Sequence, residues 1–80
     1  MGDNPPPALT DVTAYECWRA DIHMWQITTS MEPRRQALAV RTKLCDAARN
    51  VALRLDAADL NNESGMTFLI EALDKQFRKK

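Results

Sequence analysis

From Thr13 onward apolar residues return every three or four positions, the period of an α-helix rather than a strand. Tyr15, Trp18, Ile22 and Trp25 share one side of a first helix expected over about residues 13–28. Thr13-Ala14-Tyr15-Glu16 has the form of a capping box, with Val12 and Cys17 at the staple positions. Thr28-Thr29-Ser30 favours local side-chain-to-backbone bonding and closes the helix. A second helix is expected over about 32–44, with Ser30 as cap and Pro33 tolerated in the first turn. Pro33, Ala37, Val40 and Leu44 form its apolar stripe. Ala48, Val51, Ala52 and Leu55 form the next, over about 46–55, with Asp46 as its cap. Periodicity also permits one unbroken helix over 33–55. A break near Cys45 is preferred, because a rod of ~34 Å at 1.5 Å per residue suits a small bundle poorly. Asp56 to Ser64 is a connector with Leu60 turned inward, rich in turn formers up to Gly65. Ser64 or Asn62 caps a last helix over about 64–78, whose core stripe is Met66, Leu69, Ile70, Leu73 and Phe77. The predicted fold is all-α, a compact bundle of four main helices. Before it, residues 1–11 carry Pro5-Pro6-Pro7 and read as an extended arm, flexible or docked, leaving 12–80 as the single helical domain.

The first helix departs from ordinary amphipathicity. Opposite the Tyr15/Trp18/Ile22/Trp25 side lies a second apolar set, Cys17, Ala20, Met24 and Ile27, at heptad-like spacing. Glu16, Arg19, His23 and Gln26 make the one continuous polar strip, and Asp21 stands alone between the apolar sides. Two readings follow. Either the helix is central and covered on both sides, or the Cys17/Ala20/Met24/Ile27 face meets another copy or a partner. Phe68, off the stripe of the last helix, hints at the second reading.

Composition narrows the function. Eighty residues hold one domain with little core to spare for a deep pocket. Eleven basic and eleven acidic groups cancel, so there is no global field for nucleic acid or an anionic membrane. The charges are uneven: residues 1–30 hold one basic and four acidic groups, and residues 31–55 hold six basic and two acidic ones. The basic run, Arg34 and Arg35 included, has no interleaved aromatic residues to stack bases, and solvated faces explain it better. Nucleic-acid binding is therefore not expected through this segment. Cys17 and Cys45 read as reduced thiols of an intracellular protein. With His23 they make three Cys/His groups, short of a zinc set. No membrane span, signal peptide or myristoylation motif is visible. No serine–histidine–acid set or phosphate loop is present, Gly2 and Gly65 being the only glycines. The expectation is a non-enzyme with no catalytic, cofactor or metal residues.

The order of residues resembles a known family. Tyr15-x-x-Trp18-x-x-x-Ile22-x-x-Trp25 is followed by Gln36-Ala37-Leu38-Ala39-Val40 and Leu44-x-x-x-Ala48. Then come Asp59-Leu60-Asn61, Gly65-Met66 and Leu69-x-x-x-Leu73-Asp74-x-x-Phe77. This pattern is similar to the Gag capsid N-terminal domain of gypsy-class LTR retrotransposons and covers roughly residues 12–78. Many members have glycine in the turn where this chain has Asp46. The resemblance implies a capsid domain that self-associates into a retrotransposon-type particle shell, in a cytoplasmic, particle-associated setting. Its partners would be other copies of itself, through Cys17, Ala20, Met24, Ile27, Arg34 and Arg35. Domesticated relatives of the Arc type imply an alternative, an adaptor lobe binding a short hydrophobic peptide in a groove between helices. The Arg78-Lys79-Lys80 end reads as the edge of a longer protein.

Overall fold

The computed structural model describes residues 5–78. Its elements are a 3-10 turn at Val12–Ala14 and helices α1 (Tyr15–Thr28), α2 (Pro33–Arg41), α3 (Asp46–Leu53), α4 (Ala57–Leu60) and α5 (Gly65–Phe77). The fold is an all-α bundle, and the described residues include no strand. Four of the helices span two turns or more; α4 is a single turn inside the connector. Helix α5 lies against α2, α3 and α4, and is tied to α1 through Tyr15 and Asp74. None of the described helices is long and apolar enough to cross a membrane.

The core is continuous. Tyr15, Trp18, Ile22 and Trp25 of α1 are buried together with Ala37 and Val40 of α2, Leu44, and Ala48 and Ala52 of α3. Leu60, Met66, Leu69 and Leu73 close it from the other end of the chain. Val51, Leu55, Ile70 and Phe77 pack at its margin, half-buried. Three small residues, Ala37, Ala48 and Ala52, are wholly covered, so the helices approach closely where they meet. Gln36 is the one buried polar side chain among the described residues. Its amide donates to the Met31 carbonyl at 3.0 Å and its oxygen accepts from the Gln26 amide at 3.4 Å. The cost of burying it is thereby offset.

Helix boundaries depart from expectation where caps are concerned. The first helix is not opened by Thr13. Asp11 takes the cap position of the preceding 3-10 turn, its carboxylate accepting from the Thr13 N–H at 3.0 Å, and α1 proper begins two residues later. Helix α2 starts at Pro33 behind Glu32, without a side-chain cap bond from Glu32. Asp56 does cap, accepting from the Ala58 N–H at 3.0 Å. Helices α2 and α3 are separate, divided by a turn at residues 42–45. An unbroken 33–55 rod would have filled nearly the whole 35 Å long axis of the molecule. Asp46 is not the cap of α3; Cys45 holds that place in extended conformation. Asp46 instead opens α3 with φ 51°, in the left-handed region where glycine carries no steric penalty.

Where it is described, the N-terminal segment is docked on the body of the domain. Residues 1–4 lie outside the described residues. Leu9 is buried, pairs in a parallel bridge with Leu44, and donates its N–H to the Lys43 carbonyl at 2.9 Å. The Cys45 thiol donates to the Leu9 carbonyl and the Trp18 indole N–H to the Pro7 carbonyl. The polar backbone that prolines leave without internal partners is thus satisfied by the body of the domain. The docked arm acts as a strap, and Leu9 adds to a core that a chain of this size can scarcely fill alone.

Gly65 marks the tightest backbone approach. A Cβ there would collide with the carbonyl oxygen and carbon of Leu60, so α5 begins hard against the end of α4. Because the opposing atoms are backbone, no side chain can turn aside. Gly65→Ala is expected to destabilise the domain by about 3 kcal/mol or more, measured by urea denaturation. Asp46→Gly is expected to do the reverse, adding about 0.5–1 kcal/mol in the same assay by removing left-handed strain.

Candidate functional site

Helix α1 has two halves. At about 100° per residue, Trp25, Trp18, Ile22 and Tyr15 occupy the inner half, and Gln26 and Arg19 line its edge. Cys17, Ala20, Met24 and Ile27 fall on the outer half, and all four are exposed. Met24 is 59% and Ile27 64% accessible, the two most exposed large apolar side chains among the described residues. The other described residues therefore do not cover this stripe. Glu16 borders it on one side and Asp21 on the other, both exposed. Arg34 and Arg35 are also exposed, but on the first turn of α2 rather than in the stripe.

What fixes α1 in this rotation is a polar clamp to α5. The Tyr15 hydroxyl donates to Asp74 Oδ1 at 2.6 Å. The Arg19 guanidinium grips the same carboxylate with two bonds, Nε to Oδ1 at 2.9 Å and Nη2 to Oδ2 at 3.0 Å. Arg78 stands 3.7 Å from Oδ2 and 3.9 Å from Glu16, as an outer ion pair. Burial would raise the Asp74 carboxyl, but the hydrogen bonds from Arg19 and Tyr15 outweigh it and hold the group below the usual carboxylate range. Burial pushes the Tyr15 phenol well above its ordinary value, and the hydrogen bond to the Asp74 carboxylate adds to this. The rings of Tyr15 and Phe77 pack tilted at 5.8 Å beside the clamp. The clamp was not foreseen from sequence. The available signal was a Tyr–Arg pair at i, i+4 on the rim of the core stripe, with a single Asp between Leu73 and Phe77.

Two clefts flank α5. One, of about 280 Å³, lies between α1 and α5, with Ile22, Met66 and Ile70 along it and Arg19, His23, Gln26, Thr67 and Glu71 around it. The other, of about 300 Å³, lies between α3 and α5 and includes Val51, Leu55, Phe68 and Ala72. His23, the single histidine, is exposed in the first cleft with Arg19, Thr67 and Glu71. No group of three or more metal-ligating side chains is assembled among the described residues. Comparison with protein-family models, with curated proteins and with solved structures gives no match.

The clamp predicts a pH dependence. The Asp74 carboxyl is depressed in the folded state, so its contribution is present above the unfolded value near 3.8 and is lost as pH falls through the lower folded value. Asp74→Asn is expected to cost about 1–3 kcal/mol near pH 7. That difference from the wild type should shrink steadily below about pH 4, measured by denaturant unfolding at each pH.

Proposed function

We propose that this domain is a self-associating structural module of the Gag capsid type, a building block of a particle shell. The observation carrying this reading is the uncovered Cys17/Ala20/Met24/Ile27 stripe, on a helix whose opposite half anchors the core. Met24 and Ile27 exposed side by side on one helix face support a surface that meets another protein. Four residues on one helix make a small interface. Small interfaces are individually weak, and a shell gains its cohesion by repeating them many times. Arg34 and Arg35, at the start of α2, would orient neighbouring copies against acidic groups. The reading assigns no catalysis, cofactor or metal to the domain and no nucleic-acid contact to this segment, and it places the protein in cytoplasmic particles.

A second reading is favoured by the apolar cleft between α3 and α5, which could seat a short hydrophobic peptide in the manner of an adaptor. Sedimentation across concentration separates the two. The wild-type chain is expected to associate reversibly, and Met24→Asp combined with Ile27→Asp to weaken this at least roughly 100-fold while circular dichroism stays helical. A wild-type chain that remains monomeric at about millimolar concentration and binds hydrophobic peptides would replace the shell by the adaptor. A double variant that unfolds would place the stripe in the core.

A further inference from the structure

The uncovered stripe on α1 has two possible partners within a second copy: the same stripe, or a different surface. Charge decides between them. The charged residues bordering the stripe are Glu16 and Asp21, both acidic and both exposed. Arg19, the only cation of α1, is turned away to Asp74. Two stripes placed face to face would therefore bring Asp21 against the acids of the other copy with no cation of the helix to separate them, Glu16 alone having Arg78 beside it at 3.9 Å.

The α3/α5 cleft offers the opposite character. Val51, Leu55, Phe68 and Ala72 make its apolar part, and Arg54 and Lys75 stand at its edge. Glu71 is the single acid there. Phe68, 39% exposed, presents an aromatic face within an otherwise aliphatic groove. Leu53 is also exposed, but lies round the outer side of α3 and does not belong to the cleft. The cleft and the stripe are on different flanks. Helix α1 meets α5 through Ile70, Asp74 and Phe77, whereas Phe68 and Ala72 face α3.

We infer that the α1 stripe of one copy docks into the α3/α5 cleft of the next, a heterologous head-to-tail contact. This rests on the self-association proposed above and specifies its geometry. Met24 and Ile27 enter the cleft as adjacent knobs of one helix face, with the Met24 thioether against the Phe68 ring. Asp21 and Glu16 then face Arg54 and Lys75 across the rim. Because the two surfaces differ, every docked copy still offers one free stripe and one free cleft. Growth continues until the rotation between neighbours closes a ring, or proceeds without end if it does not.

The test is a mixing experiment by sedimentation velocity. Variant A carries Met24→Asp with Ile27→Asp and keeps only the cleft; variant B carries Phe68→Asp and keeps only the stripe. Each is expected to be monomeric alone. Mixed in equal amounts, they should form a one-to-one dimer and nothing larger, since the dimer's remaining surfaces are both defective. If variant B instead associates as the wild type does and fails to capture variant A, the head-to-tail contact is wrong while self-association stands. If the wild type itself is monomeric, the underlying reading falls. Should circular dichroism show variant B unfolded, Arg54→Glu with Lys75→Glu takes its place. That pair should weaken association at least roughly tenfold, and adding Glu16→Lys with Asp21→Lys should restore it. Absence of any weakening would equally overturn the contact.

Discussion

One carboxylate sets the rotation of the first helix. Asp74 accepts from Tyr15 and is gripped by both donors of Arg19, joining residues 59 and 55 positions apart in sequence. A bidentate guanidinium–carboxylate pair is directional in a way that apolar packing is not. Trp18, Ile22 and Trp25 would be content with a modest roll of α1 about its axis; the clamp would not. The burial of Tyr15, Trp18, Ile22 and Trp25 turns Cys17, Ala20, Met24 and Ile27 outward, and the clamp holds that roll.

The same clamp removes the one cation of α1 from circulation. A helix bearing Glu16, Arg19, Asp21 and His23 looks mixed in charge when read linearly. Folded, its outer half is bordered by Glu16, with Arg78 beside it, and by Asp21. Two exposed patches of unlike charge on a chain with zero formal net charge give the molecule polarity without a net field.

Much of the architecture was legible because helical period and burial coincide. Tyr15, Trp18, Ile22 and Trp25 recur as one helix face, and the turn between α2 and α3 follows from the incompatibility of a long rod with a small body. What was not legible depends on contacts between distant segments. Leu9 sits in a proline-rich stretch without period, and only its bridge to Leu44 makes it core. Asp46 carries the composition of a cap, yet its backbone is left-handed, a property that residue type alone does not report. Asp74 stood in an apolar stripe with no indication that Tyr15 and Arg19 would converge on it. The outer stripe of α1 was visible as a pattern; whether it was covered could be decided only by knowing where every other helix lies.

The chain has two tryptophans, Trp18 and Trp25, and both lie on the inner half of α1 at 3% and 4% accessibility. The indole of Trp18 is moreover bonded to the strap at Pro7. Intrinsic fluorescence is therefore confined to one hemisphere of the helix. A red shift in emission reports loss of the interior or release of the strap, whereas contact made on the outer hemisphere leaves the dye-free optical signal unchanged. The colour of emitted light thus separates unfolding of the domain from any contact made on that outer hemisphere.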